Sequence, residues 1–132
     1  DVYKRQDLLD RMRENAEEML TPRDIIFQFE LGELPLEKKL PVDVRQHLFL
    51  FYKEGINNIA KHSNATHVTI RFGQFADHFE LSVQDNGTAI ATTTSSSGFG
   101  LQNLEMRAKK LGATFLLSKE DGYKVGLRMK SI

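Results

Sequence analysis

Lys53-Glu54-Gly55-Ile56-Asn57-Asn58-Ile59-Ala60-Lys61-His62-Ser63 is the stretch from which the fold can be read. With Val44, Leu48, Phe51 and Tyr52 upstream, Gly55, Ile56 and Ile59 fall on one side of a helical wheel, which predicts a long helix from Val42 to about His62. Glu54, Asn58 and Lys61 follow at i, i+4 and i+7 and form a polar stripe beside the apolar one. Just downstream, Val68, Ile70 and Phe72 alternate with His67, Thr69 and Arg71, and Phe79, Leu81 and Val83 alternate with Glu80, Ser82 and Gln84. That period of two predicts a hairpin with one buried face, against which the apolar side of the helix can pack.

The remaining elements extend this pair. Leu8, Leu9, Met12, Ala16, Met19 and Leu20 recur at helical spacing, so residues 4 to 20 read as an amphipathic helix, ended by Thr21-Pro22. Ile25 to Glu30 has the β-branched and aromatic makeup of a strand, and residues 31 to 41 connect it to the long helix. Residues 86 to 98 are dominated by Gly, Thr, Ser and Ala, which bury little and predict a mobile loop. Leu101, Leu104, Ala108 and Leu111 mark a third helix, closed by Gly112. Phe115 and Leu117, a turn at Glu120-Asp121-Gly122, and Val125, Leu127 and Met129 make a second hairpin. The sum is an α/β (α+β) chain: a two-layer sandwich with a mixed sheet of about five strands packed against three helices.

Bulk properties narrow the class. At 132 residues and 40% hydrophobic the chain has the size of one globular domain. Its 18 basic and 18 acidic residues cancel, so no global field draws in a nucleic acid, and none is expected as a partner. The absence of cysteine removes disulfides and thiolate metal sites and agrees with a cytoplasmic setting. No apolar run approaches the roughly 20 residues that cross a bilayer.

Three segments carry candidate chemistry. An Asn amide oxygen is a hard neutral donor, so Asn58 is the candidate Mg²⁺ ligand; Lys61 is placed to neutralise phosphate, and Glu54 to orient a nucleophile or a metal-bound water. The bland alternative is an ordinary solvated helix face. Asp85 follows Leu81 and Val83 at a period of two, so it should face the interior, where the exocyclic amine of adenine would supply the donor a buried carboxylate needs. Equally, Asp85 can simply start the turn Asp85-Asn86-Gly87. Gly98-Phe99-Gly100-Leu101 stands where a third helix opens, and its glycines would let phosphates approach unpaired backbone amides; a flexible joint is the plain alternative. The loop before it suggests a lid over nucleotide. His62 closes the long helix and serves either its last carbonyls or a phosphate, while His47, His67 and His78 read as surface residues without metal-ligand spacing.

In this order the three segments resemble the ATP-binding catalytic domain of sensor histidine kinases, in the superfamily of gyrase, heat-shock chaperone and mismatch-repair ATPases. The resemblance covers roughly residues 24 to 130. Glu54 to His62 is similar to the N box, Asp85-Asn86-Gly87 to the first glycine box and Gly98-Phe99-Gly100-Leu101 to the second. Lys61-His62-Ser63-Asn64-Ala65-Thr66 and Gly100-Leu101-Gln102-Asn103-Leu104-Glu105-Met106-Arg107-Ala108 resemble the subfamily paired with helix-turn-helix response regulators. The resemblance implies a Bergerat-type ATP-binding fold, ATP and Mg²⁺ as cofactors, Asn58 holding the metal, Asp85 reading adenine, and a lid embracing the triphosphate. Lys61, His62, Gly87, Gly98, Gly100 and Leu101 complete the implied nucleotide site, with Glu54 and Asn58 as its catalytic pair. Three positions depart from the family pattern: Ala89 and Ala113 stand where glycine is common, and Tyr123 where threonine is common.

No phosphoacceptor helix precedes the N box. Residues 1–20 resemble the connecting helix from a dimerisation domain, and residues 21–132 the catalytic domain. The implied function is a protein histidine kinase domain that passes the ATP γ-phosphoryl group to a histidine on separate dimerisation helices, with a response regulator downstream. The isolated domain is expected to be monomeric, and the parent protein to be anchored, where it is anchored at all, in the inner membrane. A hydrolytic ATPase and a non-catalytic module of the same fold are the two rival functions.

Overall fold

A computed structural model describes residues 4–35, 37–88 and 98–132, giving the backbone alone for 98–100. Its elements in chain order are α1 (Arg5–Leu20), a single 3-10 turn (Thr21–Arg23), β1 (Ile26–Leu31), α2 (Val42–His62), β2 (His67–Phe75), β3 (His78–Asp85), α3 (Gly98–Lys110), β4 (Thr114–Ser118) and β5 (Lys124–Met129). The strands form one mixed sheet in the order β1-β2-β3-β5-β4. β1 runs parallel to β2, with Ile26 opposite His67, and every other pair is antiparallel. The parallel pair follows from its connection, because the long helix α2 carries the chain back before β2 begins. The three helices and the five-stranded sheet are those expected, with shifts of a residue at the ends of the first helix and the first strand.

The core lies between the helices and one face of the sheet. From α2 it takes Leu48, Phe51, Tyr52, Ile56 and Ile59, and from the sheet Val68, Ile70, Phe72, Phe79, Leu81, Val83, Val125 and Leu127. Phe72 and Phe79 meet edge to face across the β2–β3 hairpin, their ring centroids 5.5 Å apart. α3 contributes Leu104 and Ala108 and ends as expected at Gly112.

Two features go beyond what the local pattern specifies. The amphipathic helix over residues 4 to 20 leaves open in the sequence whether it packs on this domain or on a neighbour, and here Leu8, Met12, Ala16 and Leu20 of α1 are fully buried in the same core as α2. The junction is also polar: the Tyr52 hydroxyl donates to the Met12 carbonyl at 2.6 Å, and burial pushes the phenol far above its ordinary pKa. At the start of α1 the buried Arg5 guanidinium donates to the carbonyls of Lys39 and Ile132, joining the helix to the loop before α2 and to the chain end. The amphipathic face seen in the sequence is thus spent on this domain's own core.

The second concerns the outer sheet face, which period-two alternation predicts to be solvated. Glu80 is only 3% exposed, and Ser82 is buried beside it. β3 is the middle strand, so long side chains from β2 and β5 arch over it. The Glu80 carboxylate accepts from Ser82 Oγ at 2.7 Å and Arg71 Nε at 3.2 Å, with Lys124 Nζ at 3.6 Å and His78 Nε2 at 3.7 Å. Arg71 also pairs with Glu30 on β1, so the cluster spans four strands.

Two predictions follow from these ties. Tyr52→Phe should lower stability by about 1 kcal/mol, the worth of one buried hydrogen bond, in a urea denaturation. For Glu80, burial alone would raise the carboxyl pKa, but the Ser82 hydroxyl and the charges of Lys124, Arg71 and Arg128 together hold it below its ordinary 4.5. A depressed carboxyl contributes stability that is fully present above its unfolded pKa and is lost as pH falls through the folded one. Glu80→Gln should therefore cost about 1–3 kcal/mol at neutral pH. That gap should close as the solution is acidified below pH 4.5; a gap that stays constant into strong acid would contradict it.

Candidate functional site

The site is built where β3, β5 and the end of α2 meet. Asp85 ends β3 on the same side as Leu81 and Val83 and is 3% exposed. Its Oδ1 accepts from the backbone N–H of Gly87 at 2.9 Å and of Tyr123 at 3.1 Å. Its Oδ2 is buried and has no donor among the described residues. The turn Glu120-Asp121-Gly122 is drawn against this carboxylate, since Gly122 has φ +93° and a Cβ there would fall 2.0 Å from the Asp85 carbonyl oxygen. Only glycine satisfies both the left-handed backbone and that approach.

Asn86 and Gly87 join Asp85 to the segment that follows α2. The Asn86 side-chain oxygen accepts from the N–H groups of Thr66 at 2.9 Å and His67 at 3.0 Å, fixing the start of β2. Gly87 lies where a Cβ would come within 2.6 Å of Asn64 Oδ1 and 2.7 Å of Ser63 Oγ. One residue on, the Thr88 N–H donates to that Asn64 oxygen at 2.8 Å. The three residues of the first glycine box thus have three separate jobs: an inward acid, a strand tie and a close approach.

α2 brings the other half. At Gly55 the helix sits directly on the sheet, where a Cβ would lie 3.3 Å from a Val125 methyl and 3.6 Å from a Val83 methyl. One helical turn onward is Asn58, and two residues along each strand from those valines are Tyr123 and Asp85. Tyr123 is 3% exposed, and its phenol is acted on by both the Asn58 amide and the Asp85 carboxylate. Burial pushes its phenol up to about 12, with the neighbouring Asn58 amide drawing it down and the Asp85 charge pushing it up. Asn58 is half-buried, and among the described residues its Nδ2 has no acceptor in hydrogen-bond geometry and the buried Asn57 Oδ1 has no donor.

The other residues singled out in the sequence lie around this centre. Glu54 is half-buried and accepts from Asn103 Nδ2 on α3 at 3.2 Å, so this member of the polar stripe faces the neighbouring helix. Lys61 is exposed and His62 half-buried, both in the last turn of α2. Gly98 and Gly100 lie in the first turn of α3, and Leu101 packs against the core. The lid expected over residues 86 to 98 falls, from 89 to 97, outside the described residues, as does the departure at Ala89. His47, expected at the surface, is half-buried with its ring nitrogen 3.4 Å from Arg107 Nη1 on α3. Among the described residues no three His, Asp or Glu side chains are grouped to hold a metal ion. In the sequence Tyr123 stands only as a departure, and Asn57 and Asn103 fall within quoted motifs without a role of their own. The period of two from Leu127 and Val125 does point Tyr123 inward, whereas nothing local marks the other two.

No family model matches the chain. It is 37% identical over 78 residues to the sensor protein VraS of Staphylococcus haemolyticus, an overlap covering 58% of this chain and 22% of VraS. To the signal transduction histidine-protein kinase/phosphatase UhpB of Salmonella typhimurium it is 33% identical over 93 residues, or 70% of this chain and 19% of UhpB. The matched part is therefore about a fifth of the length of these relatives. Among solved structures, the ATP binding domain of PrrB from Mycobacterium tuberculosis superposes with a TM-score of 0.71 at 23% identity, covering 98% of this chain and 96% of that one. The motifs, the sequence relatives and the fold agree, and the chain is a catalytic domain of the sensor histidine kinase family.

Proposed function

We propose that the chain binds Mg-ATP and donates its γ-phosphoryl group to a histidine carried on separate dimerisation helices, from which a response regulator takes it. The observation that carries this reading is the Asp85 carboxylate, with one oxygen held by two backbone amides and the other buried without a donor. An oxygen left this way costs about 1–3 kcal/mol. The exocyclic amine of adenine is a donor of the right kind, and the fixed first oxygen holds the second in place to receive it.

The rest of the donor set fits the same ligand. Asn58 presents a hard amide group beside Tyr123, the residue whose backbone holds Asp85, and is suited to Mg²⁺ shared with phosphate oxygens. Bound magnesium would spread the charge of the triphosphate and so stabilise its transfer. Lys61 and His62 at the end of α2 offer positive charge. The first amides of α3, at Gly98, Phe99, Gly100 and Leu101, lack helical partners and suit phosphate oxygens. Glu54, steadied by Asn103, is the residue proposed to accept the imidazole proton as the new P–N bond forms and the bond to ADP breaks. Residues 1–20, which contribute to the core, are proposed also to lead in from the dimerisation helices. The proposed ATP chemistry is compatible with a domain that works in the cytoplasm. Among the described residues no helix is long and apolar enough to cross a membrane.

Calorimetric titration tests the site. The unsubstituted chain should bind Mg-ATP, and Asp85→Asn should weaken binding by about tenfold or more, the worth of a hydrogen bond to a charged group. Asn58→Asp, which adds negative charge beside the triphosphate, should weaken it too. Equal affinity in all three would sink the assignment. Incubated alone with radioactive ATP, the chain should acquire no label on histidine, and steady phosphate release under those conditions would favour hydrolysis instead.

A further inference from the structure

Tyr123 stands where the family commonly has threonine, and it lies between the two residues that the proposed nucleotide site needs most. Its backbone N–H holds Asp85 Oδ1 at 3.1 Å, and the Asp85 N–H returns to its carbonyl at 2.9 Å, so the residue is locked to the acid through the β3–β5 ladder. Its side chain is buried and neighbours the amide of Asn58, one helical turn beyond the Gly55 contact with Val83 and Val125. A threonine hydroxyl stands on Cβ and would remain at the strand. The phenol hydroxyl stands at the far end of the ring, beside the amide of Asn58.

An Asn side chain can turn either its oxygen or its NH2 toward a cleft, and only the oxygen serves a cation. Asn58 Nδ2 is buried and, among the described residues, has no acceptor in hydrogen-bond geometry; the nearby phenol oxygen is a group able to receive it. We infer that Tyr123 is a positioning residue: its hydroxyl engages the amide nitrogen of Asn58 and so turns the amide oxygen toward the metal and phosphates. Tyr123 then couples the adenine-reading end of the site to its metal-holding end, a task that the shorter threonine would leave to other groups. This inference rests on the Mg-ATP reading of the site.

The test measures ATP affinity by calorimetry in EDTA and in excess Mg²⁺, for the unsubstituted chain, Tyr123→Phe, Asn58→Ala and the double variant. Tyr123→Phe removes one oxygen and keeps the ring, and thermal melting reports whether each chain is folded. The affinity gained from magnesium should fall by about two- to tenfold in Tyr123→Phe, the range of one hydrogen bond. In the Asn58→Ala background the same substitution should change Mg-ATP affinity no further, because the two residues act as one unit. A ring that merely fills space would pass neither test. An undiminished magnesium gain in Tyr123→Phe, or the same fold loss with Asn58 present and absent, overturns the inference while the nucleotide reading stands. If the unsubstituted chain gains nothing from magnesium, the metal reading fails first and carries the inference with it.

Discussion

The buried carboxylate of Asp85 is the constraint around which this end of the molecule is arranged. A charged group this far from water needs donors, and the chain supplies them from its own backbone through Gly87 and Tyr123. To bring those two amides to one oxygen, the turn before β5 must touch the Asp85 carbonyl and the turn after β3 must touch Ser63 and Asn64. Two glycines make both approaches sterically possible. The geometry of three separate loops is thus set by one side chain. Because Oδ1 takes both backbone donors, Oδ2 remains unmatched in an interior where an unmatched oxygen is unfavourable. Asn57 and Asn58 add further unmatched atoms on the adjoining helix. Uncompensated polarity is concentrated at this junction, which is where an arriving nucleotide would offset it.

The frame that holds this junction is supported on both faces of the sheet. On the helical side, α2 lies between α1, α3 and the strands, and its contact at Gly55 sets how far along the sheet Asn58 reaches. The Tyr52–Met12 and Glu54–Asn103 hydrogen bonds connect α2 to its two neighbours by polar contacts that hydrophobic packing alone would not orient. On the other face, Glu80 gathers Arg71, Lys124, His78 and Ser82 across the middle strands. That cluster covers β3 where helices do not. Burial of β3 on both sides makes it a rigid ledge, and Asp85 stands at the end of it.

The family pattern and its departures acquire physical content in this setting. Gly122 belongs to the turn that approaches Asp85, and its left-handed backbone and contact distance leave no room for a side chain. Tyr123, next to it, changes what fills the space between acid and helix. A small hydroxyl residue there would leave room beside the acid, whereas the phenol packs it with a ring and carries the polar atom across to α2. The departure leaves the fold unchanged and, on the reading proposed above, alters how the two ends of the site are linked.

Some of this was determined by the sequence alone. The apolar stripe of α2 and the alternation in the two hairpins are local signals, because Cβ directions repeat every 3.6 residues in a helix and every two in a strand. The same arithmetic turned Asp85 inward, and the order of the three glycine- and asparagine-bearing segments pointed to the family. What the tertiary structure decided is which distant groups meet. The strand order, with β5 beside β3, brings Tyr123 to Asp85. α3 lies against α2, so Glu54 meets Asn103 and His47 meets Arg107. α1 buries its apolar stripe in this domain's core, and the polar face of β3 is roofed by its neighbours. None of these has a local signature, because periodicity tells a residue which way to point but not what it will find there. That depends on how elements far apart in the chain are stacked to bury their apolar faces together.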